Sequence, residues 1–264
     1  MVNPQAMLQT AHDVIREASE MFVAGVGAAP VLYKKHGDFA TEADLNIEKM
    51  IRRRLEAETG IPVFGEEQGG TFEPDACWII DPIDGTTNYA AGNPNCAILL
   101  SLIVNNEPVV AITDMPLMNM TMSTTVGQPV ILNGKELPPL VDEPSSNALV
   151  GVGSVGSPDS QRFPARYRLK LIGWLSDTDL RPRITGSVGV DLAFVAQGVF
   201  SAALSFSPHV WDNSAGVLLA RNAGAKVTDG LGGEWHPTSL GVIAAPPKAH
   251  ATVMDTIAEI TNTK

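Results

Sequence analysis

The chain has 264 residues, 44% hydrophobic and 18% charged, a composition that supports a sizeable buried core and argues against disorder. Its formal net charge is -11, which disfavours nucleic acid and anionic membranes as partners because both require a basic surface. An acidic protein can still bind a small anionic molecule when cations at the site reverse the local sign.

Cysteine content and the N-terminal sequence bear on the cellular compartment. Cys77 and Cys96 are the two cysteines, too few for a disulfide framework. The N-terminus shows neither a basic segment followed by an apolar run nor a stretch long enough to span a membrane. These features predict a cytoplasmic protein.

The first part of the chain predicts two helices followed by strands. Apolar residues at three- and four-residue spacing predict an amphipathic helix over residues 5–26. A second predicted helix spans about 41–59, where Gly60 closes it and Pro62 prevents its continuation. Short apolar runs then predict strands at 62–64, 77–80, 97–104 and 109–113.

The second part continues the mixture of helices and strands. Residues 138–161 are rich in Pro, Ser and Gly and predict a seam between subdomains of about 1–140 and 141–264 within a single domain. Helices are predicted at Gly186–Gln197 and Asp212–Ala223, and strands at Val199–Phe206 and Ala225–Thr228. Helices and strands alternate unevenly, which indicates an α/β fold other than an evenly doubly wound one.

Four acidic residues share one context, because each lies at the end of a predicted strand or shortly after one. They are Glu66, Asp81, Asp84 and Asp212. An open α/β structure places its ligands at such strand ends. Carboxylates that converge there repel one another unless cations neutralise them, and oxygen-only ligands suit Mg²⁺. The alternative for each acid alone is a turn residue or a helix N-cap, and for Asp212 alone that reading is the better one.

Residues 81–88, with the sequence DPIDGTTN, join two of these acids to a turn. Pro82 stiffens the link between the aspartates. Gly85 permits a close approach of the backbone to a ligand, and Thr86 is predicted to begin a short helix whose free N–H groups suit a phosphate. The segment therefore predicts a phosphate held by metal ions.

These residues resemble the inositol monophosphatase family, which belongs to a lithium-sensitive superfamily that includes fructose-1,6-bisphosphatases. Residues 81–86 match the family's DPIDGT signature. Gly65-Glu66-Glu67 and the block from Trp211-Asp212 to Ala215-Gly216 also match. Residues 38–44 resemble its D-hydrophobic-x-T-x-x-D segment. The four blocks occur in the family's order, and the resemblance is closest to an actinobacterial inositol-1-monophosphatase branch.

The resemblance implies a role for each matching residue. Two to three Mg²⁺ ions, for which Mn²⁺ can substitute, would be held by Glu66, Asp81, the carbonyl of Ile83, Asp84 and Asp212. Asp44 and Thr86 would orient and activate the attacking water with help from Glu66, and no covalent intermediate would form. The implied substrate contacts are Gly85, Thr86, Gly186, Ser187, Val188, Ser205, Asp84 and Asp212. The resemblance also implies a layered α/β/α/β/α sandwich, a homodimer and inhibition by lithium.

Two positions depart from the family where the alcohol of the substrate would lie. Ser205 stands where many members have a glutamate that binds inositol hydroxyls, and Val188 stands where they have a small alanine. The leading substrate prediction is a small phosphorylated metabolite, myo-inositol 1-phosphate. Alternatives are histidinol phosphate, fructose 1,6-bisphosphate or a nucleotide 3′,5′-bisphosphate. A non-catalytic metal-binding protein is a further alternative, against which the intact pair of Asp44 and Thr86 argues.

Overall fold

Two β-sheets and three layers of helices alternate through the molecule, as seen in a computed structural model that describes residues 2–34, 38–143, 148–156 and 163–262. The helices are α1 (Pro4–Ala24), α2 (Glu42–Thr59), α3 (Thr86–Ala90), α4 (Ala165–Ser176), α5 (Val188–Gln197), α6 (Val210–Ala223) and α7 (Pro247–Asn262). Within the described ranges no helix has the length and apolar character needed to cross a membrane.

The strands divide into a short hairpin, a seven-stranded sheet and a five-stranded sheet. The hairpin pairs β1 (Pro30–Tyr33) with β2 (Phe39–Thr41). The larger sheet contains, in spatial order, β3 (Val63–Gly65), β4 (Ala76–Asp84), β5 (Ala97–Val104), β6 (Glu107–Met115), β7 (Met120–Thr125), β8 (Ile131–Leu132) and β9 (Lys135–Glu136). The smaller sheet has the order β11 (Leu180–Arg183), β10 (Ala148–Val152), β12 (Ala202–Ser205), β14 (Val242–Ala245) and β13 (Lys226–Thr228).

The helices fill the spaces that these sheets leave. α1 and α2 bury their apolar faces on one side of the large sheet. α5 and α6 lie between the two sheets, where Gly216 lets α6 approach Leu192 of α5 closely. α4 and α7 cover the outer side of the small sheet. The predicted α/β/α/β/α sandwich is therefore confirmed.

Two boundaries differ from the sequence prediction in ways that affect the site. β4 does not stop before Asp81 but continues to Asp84, with an irregular register against β5 between these two residues. α6 begins at Val210, so Asp212 lies inside its first turn and does not open it. Of the predicted seam at 138–161, residues 144–147 and 157–161 lie outside the described residues. The subdomain division stays a prediction.

Candidate active site

The four predicted metal-binding carboxylates meet in the space between the two sheets. Asp81 and Asp84 lie on β4, Glu66 follows β3 and Asp212 projects from the first turn of α6. The Glu66 side chain lies beside that of Asp81, which also experiences the charges of Asp84 and Asp212. The fold thus brings together side chains that are up to 146 positions apart in the sequence (66 to 212).

Burial and mutual repulsion make the three aspartates of this cluster hard to ionise. Burial, followed by the charges of Glu66, Asp84 and Asp212, raises the pKa of Asp81 well above its usual range. Burial also raises the pKa of Asp84 to about 6, although three hydrogen bonds oppose that shift. Asp212 has a raised pKa because it is desolvated and lies near Asp84 and Glu66. A cluster of this kind favours a positive ion in its midst.

Asp84 is held by the start of α5, which carries another group of predicted residues. The hydroxyl of Ser187 donates to Asp84 Oδ2 at 2.5 Å, and the N–H groups of Gly189 and Val188 donate to the same carboxylate at 2.6 and 3.3 Å. The side-chain amide of Asn88 donates to the carbonyl of Thr185 at 2.8 Å. The DPIDGT segment and the turn at Gly186 therefore form one connected structure.

Asp44 and Thr86, the predicted water-activating pair, are in contact. Asp44 Oδ2 accepts hydrogen bonds from the N–H and the hydroxyl of Thr41 at 2.8 and 2.6 Å, which caps α2. Its other oxygen, Oδ1, lies 3.4 Å from the Thr86 hydroxyl. Burial raises the pKa of Asp44, while the hydrogen bonds from Thr41 oppose the shift. One carboxylate thus combines a capping role with a free oxygen at the site.

Gly85 makes the turn that presents Thr86. Its φ of 87° lies in the left-handed region, which glycine adopts without strain. A side chain there would also collide with the carbonyl of Asn95 at 2.9 Å. The Thr86 hydroxyl donates to the carbonyl of Ile83 at 3.0 Å, which fixes the side chain at the start of α3.

Lys34 is a site residue that sequence reasoning missed. Its ammonium group lies 2.7 Å from Glu66 Oε1 and 2.6 Å from Glu67 Oε1. Burial and the charge of Glu66 raise the pKa of Glu67 to about 7, although Lys34 opposes the shift. A single lysine in a loop carries no local signal, because its partners lie 32 and 33 residues away in the sequence.

Comparison with known proteins identifies the family. A model of the inositol monophosphatase family matches residues 3–262. A probable inositol 1-monophosphatase ImpA of Mycobacterium tuberculosis is 44% identical, over 96% of this chain and 94% of its own length. The inositol-1-monophosphatase ImpA of Mycolicibacterium smegmatis is 42% identical, over 96% and 92%. The chain belongs to the inositol monophosphatase family.

The fold comparison agrees with the sequence comparison. A solved IMPase structure from Thermotoga maritima superposes with a TM-score of 0.85 at 26% identity, covering 96% of this chain and 97% of that one. The predicted family and fold class are therefore both confirmed.

The residues of this inositol monophosphatase family member fit hard divalent cations. The cluster offers only oxygen ligands, and each of three aspartates has a raised pKa that a bound cation would lower. In the described part of the chain, no group of three or more Asp, Glu, His or Cys side chains is placed so that it could hold a metal ion without rearrangement. Glu66 instead pairs with Lys34, and Asp84 accepts from the first turn of α5.

The two residues that depart from the family pattern, Val188 and Ser205, lie next to the carboxylate cluster in the sequence of contacts. Val188 is half-buried at the start of α5. Ser205 is buried at the end of β12, where its hydroxyl accepts the N–H of Ser207 at 3.1 Å. Ser207 in turn lies near Asp212, whose pKa its side chain lowers. Ser205 is thus linked to the carboxylate cluster through one intervening residue.

The raised carboxyl pKa values predict that Mg²⁺ will stabilise the protein more at about pH 8 than at about pH 5.5. Unfolded aspartates ionise near pH 4, whereas Asp84 ionises at about 6 when folded. The folding stability of the metal-free protein therefore falls as pH rises between these values. A bound cation restores that stability because it favours the ionised carboxylates. The measurement is the difference in melting temperature with and without Mg²⁺ at each pH.

Subtracting the melting temperature without Mg²⁺ from that with Mg²⁺ at the same pH cancels the contribution of titratable groups distant from the site. Burial lowers the pKa of His250 to about 4, so this residue destabilises the folded protein as pH falls below its unfolded value of about 6.5. Its effect is present with and without the metal. Equal stabilisation by Mg²⁺ at both pH values would contradict the prediction.

Proposed function

We propose that the protein is a Mg²⁺-dependent phosphatase that hydrolyses a phosphate monoester of a small polyol, with myo-inositol 1-phosphate as the leading substrate. The observation that carries the proposal is the convergence of the Glu66, Asp81, Asp84 and Asp212 carboxyl groups beside the contact between Thr86 and Asp44. The names of the two ImpA relatives support the choice of substrate.

Each part of the site has an assigned task in this proposal. The four carboxylates and the carbonyl of Ile83 hold two or three Mg²⁺ ions, and Mn²⁺ can substitute. Bound Mg²⁺ lowers the pKa of water and neutralises phosphate oxygens. The N–H groups of Gly85 and Thr86 orient the phosphate. Glu66 contributes to catalysis by helping to place the metal.

The proton of the attacking water passes through the Thr86–Asp44 pair. Thr86 accepts it at its hydroxyl oxygen and gives its own proton to Asp44 Oδ1, the oxygen that Thr41 leaves free. Burial raises the pKa of Asp44, which makes this carboxylate a stronger base than an exposed aspartate. Water attacks phosphorus directly, the ester P–O bond breaks, and the departing alkoxide takes a proton from solvent, so no covalent intermediate forms.

The alcohol of the substrate lies against Gly186, Ser187, Val188 and Ser205, together with Asp84 and Asp212. Ser205 offers a neutral hydroxyl where a carboxylate would bind sugar hydroxyls more strongly, so we propose broad specificity.

We also propose a homodimer, from the resemblance, and a cytoplasmic location, because Cys77 and Cys96 are both free thiols.

A phosphate-release assay over a substrate panel tests the proposal. We expect hydrolysis of myo-inositol 1-phosphate in Mg²⁺ or Mn²⁺, inhibition by lithium and loss of activity in chelator. The panel also contains histidinol phosphate, fructose 1,6-bisphosphate and a nucleotide 3′,5′-bisphosphate. Full activity in chelator would overturn the metal mechanism. A sharp preference for another panel member would replace the substrate and retain the chemistry, whereas no hydrolysis of any member would favour a non-catalytic protein.

A further inference from the structure

Glu48 is a fully buried carboxylate that the proposed chemistry does not use. It lies on α2 one turn after Asp44, and its side chain is 0% exposed. Positions four apart on a helix share one face. A buried charge is costly unless it is paired and hydrogen-bonded, so the groups around Glu48 indicate what it does.

Those groups belong to the turn that carries Glu66. The N–H of Glu67 donates to Glu48 Oε2 at 2.7 Å, and the N–H of Gln68 donates to Oε1 at 2.9 Å. Gly65, directly before Glu66, approaches so closely that any side chain there would overlap the Glu48 carboxylate. Glu48 therefore lies directly beneath the Gly65–Gly69 turn.

Arg52, one turn further along α2, completes the support. It pairs with Glu48 Oε1 at 3.1 Å and donates to the carbonyls of Val63 and Gly69 at 2.5 and 2.8 Å. The Val63 carbonyl lies in β3, two residues before the turn, and the Gly69 carbonyl ends the turn. The two side chains together bind the turn from within, while the Glu66 carboxylate on that turn pairs with Lys34 and lies near Asp81.

We infer that Glu48, backed by Arg52, is a positioning residue that fixes the Glu66 turn for metal binding. The inference rests on the proposed role of Glu66 as a metal ligand. Because α2 also carries Asp44, one rigid helix sets both the water-activating carboxylate and the turn that holds a metal-binding one. Groups that orient metal ligands through hydrogen bonds commonly change metal affinity when they are replaced.

The test is Glu48→Gln, with Mg²⁺ binding to the folded protein measured by calorimetry. An amide keeps the shape but has one acceptor atom, so it cannot serve both turn N–H groups and Arg52. We expect the dissociation constant for Mg²⁺ to rise about 10–100-fold. Hydrogen exchange at the Glu67 and Gln68 amides should become faster.

The chain offers a matched control in Glu56→Gln. Glu56 lies on the same helix and faces the same arginine, but at 3.7 Å and with a side chain that is 46% exposed. The substitution removes the same charge without touching the turn, so we expect unchanged Mg²⁺ affinity. If Glu48→Gln does not fold, Arg52→Lys is measured instead, since lysine retains the charge and loses the fork that spans both carbonyls.

The outcomes separate this inference from the proposed function. A folded Glu48→Gln or Arg52→Lys variant with wild-type Mg²⁺ affinity would overturn the positioning role alone, even if its melting temperature fell. Failure of the unsubstituted protein to bind Mg²⁺ would overturn the proposed function and the inference together. Weaker binding in Glu48→Gln but not in Glu56→Gln supports the inference.

Discussion

Asp212→Asn is expected to remove nearly all turnover and, at the same time, to raise the melting temperature of the metal-free protein. Asp212 is a proposed metal ligand in the first turn of α6, and its charge contributes to the raised pKa of Asp81. Loss of metal-mediated charge stabilisation of about 4 kcal/mol corresponds to a roughly 10³-fold lower kcat. Removal of one repelling charge stabilises the metal-free cluster.

The prediction combines a fall in turnover with a rise in the melting temperature of the metal-free protein, so two independent measurements must agree with it. The measurements are kcat at saturating Mg²⁺ and melting temperature in chelator. Asp255→Asn, an exposed position on α7, makes the same chemical change away from the cluster and should alter neither. Turnover close to that of the unsubstituted protein would contradict the ligand role. A lower melting temperature in chelator would show that repulsion among the carboxylates does not limit stability.

The motif around Asp81 and Asp84 is more distinct in the sequence than the extent of the strand that carries it. Asp81 and Asp84 were recognisable because Pro82 and Gly85 surround them with a distinctive motif. The extent of β4 was not, since Asp81, Pro82 and Asp84 are unfavourable in strands by propensity. β4 nevertheless continues, because β5 pairs with it on both sides of the irregularity. Tertiary pairing overrides local preference here.

Residues that act through distant contacts left no signal in the sequence. Glu48 and Arg52 read as an ordinary pair four apart on a helix surface, yet Glu48 is fully buried under a turn that begins 17 residues later. Lys34 likewise forms its ion pair with Glu66 only because the β1–β2 hairpin brings the two side chains together. Neither arrangement can be deduced from periodicity, because each depends on how separate elements pack.

Thr86→Ala is expected to lower kcat about 10²–10⁴-fold while leaving Mg²⁺ affinity close to that of the unsubstituted protein. The Thr86 hydroxyl has one proton and two acceptors nearby, the carbonyl of Ile83 at 3.0 Å and Asp44 Oδ1 at 3.4 Å. The same carbonyl is a proposed metal ligand. A cation on this carbonyl would make it a poorer acceptor and would leave the Thr86 proton to Asp44.

Metal binding would thus prepare the Thr86–Asp44 pair for catalysis, and a serine can test this because it retains the hydroxyl. We expect Thr86→Ser to keep most of the turnover that Thr86→Ala loses, with kcat and Mg²⁺ affinity measured in parallel for both. Equal losses in the two variants would show that the methyl group matters and the proton path does not. Normal turnover in Thr86→Ala would move water activation to Asp44 alone, whose Oδ1 is the remaining acceptor once Thr41 occupies Oδ2.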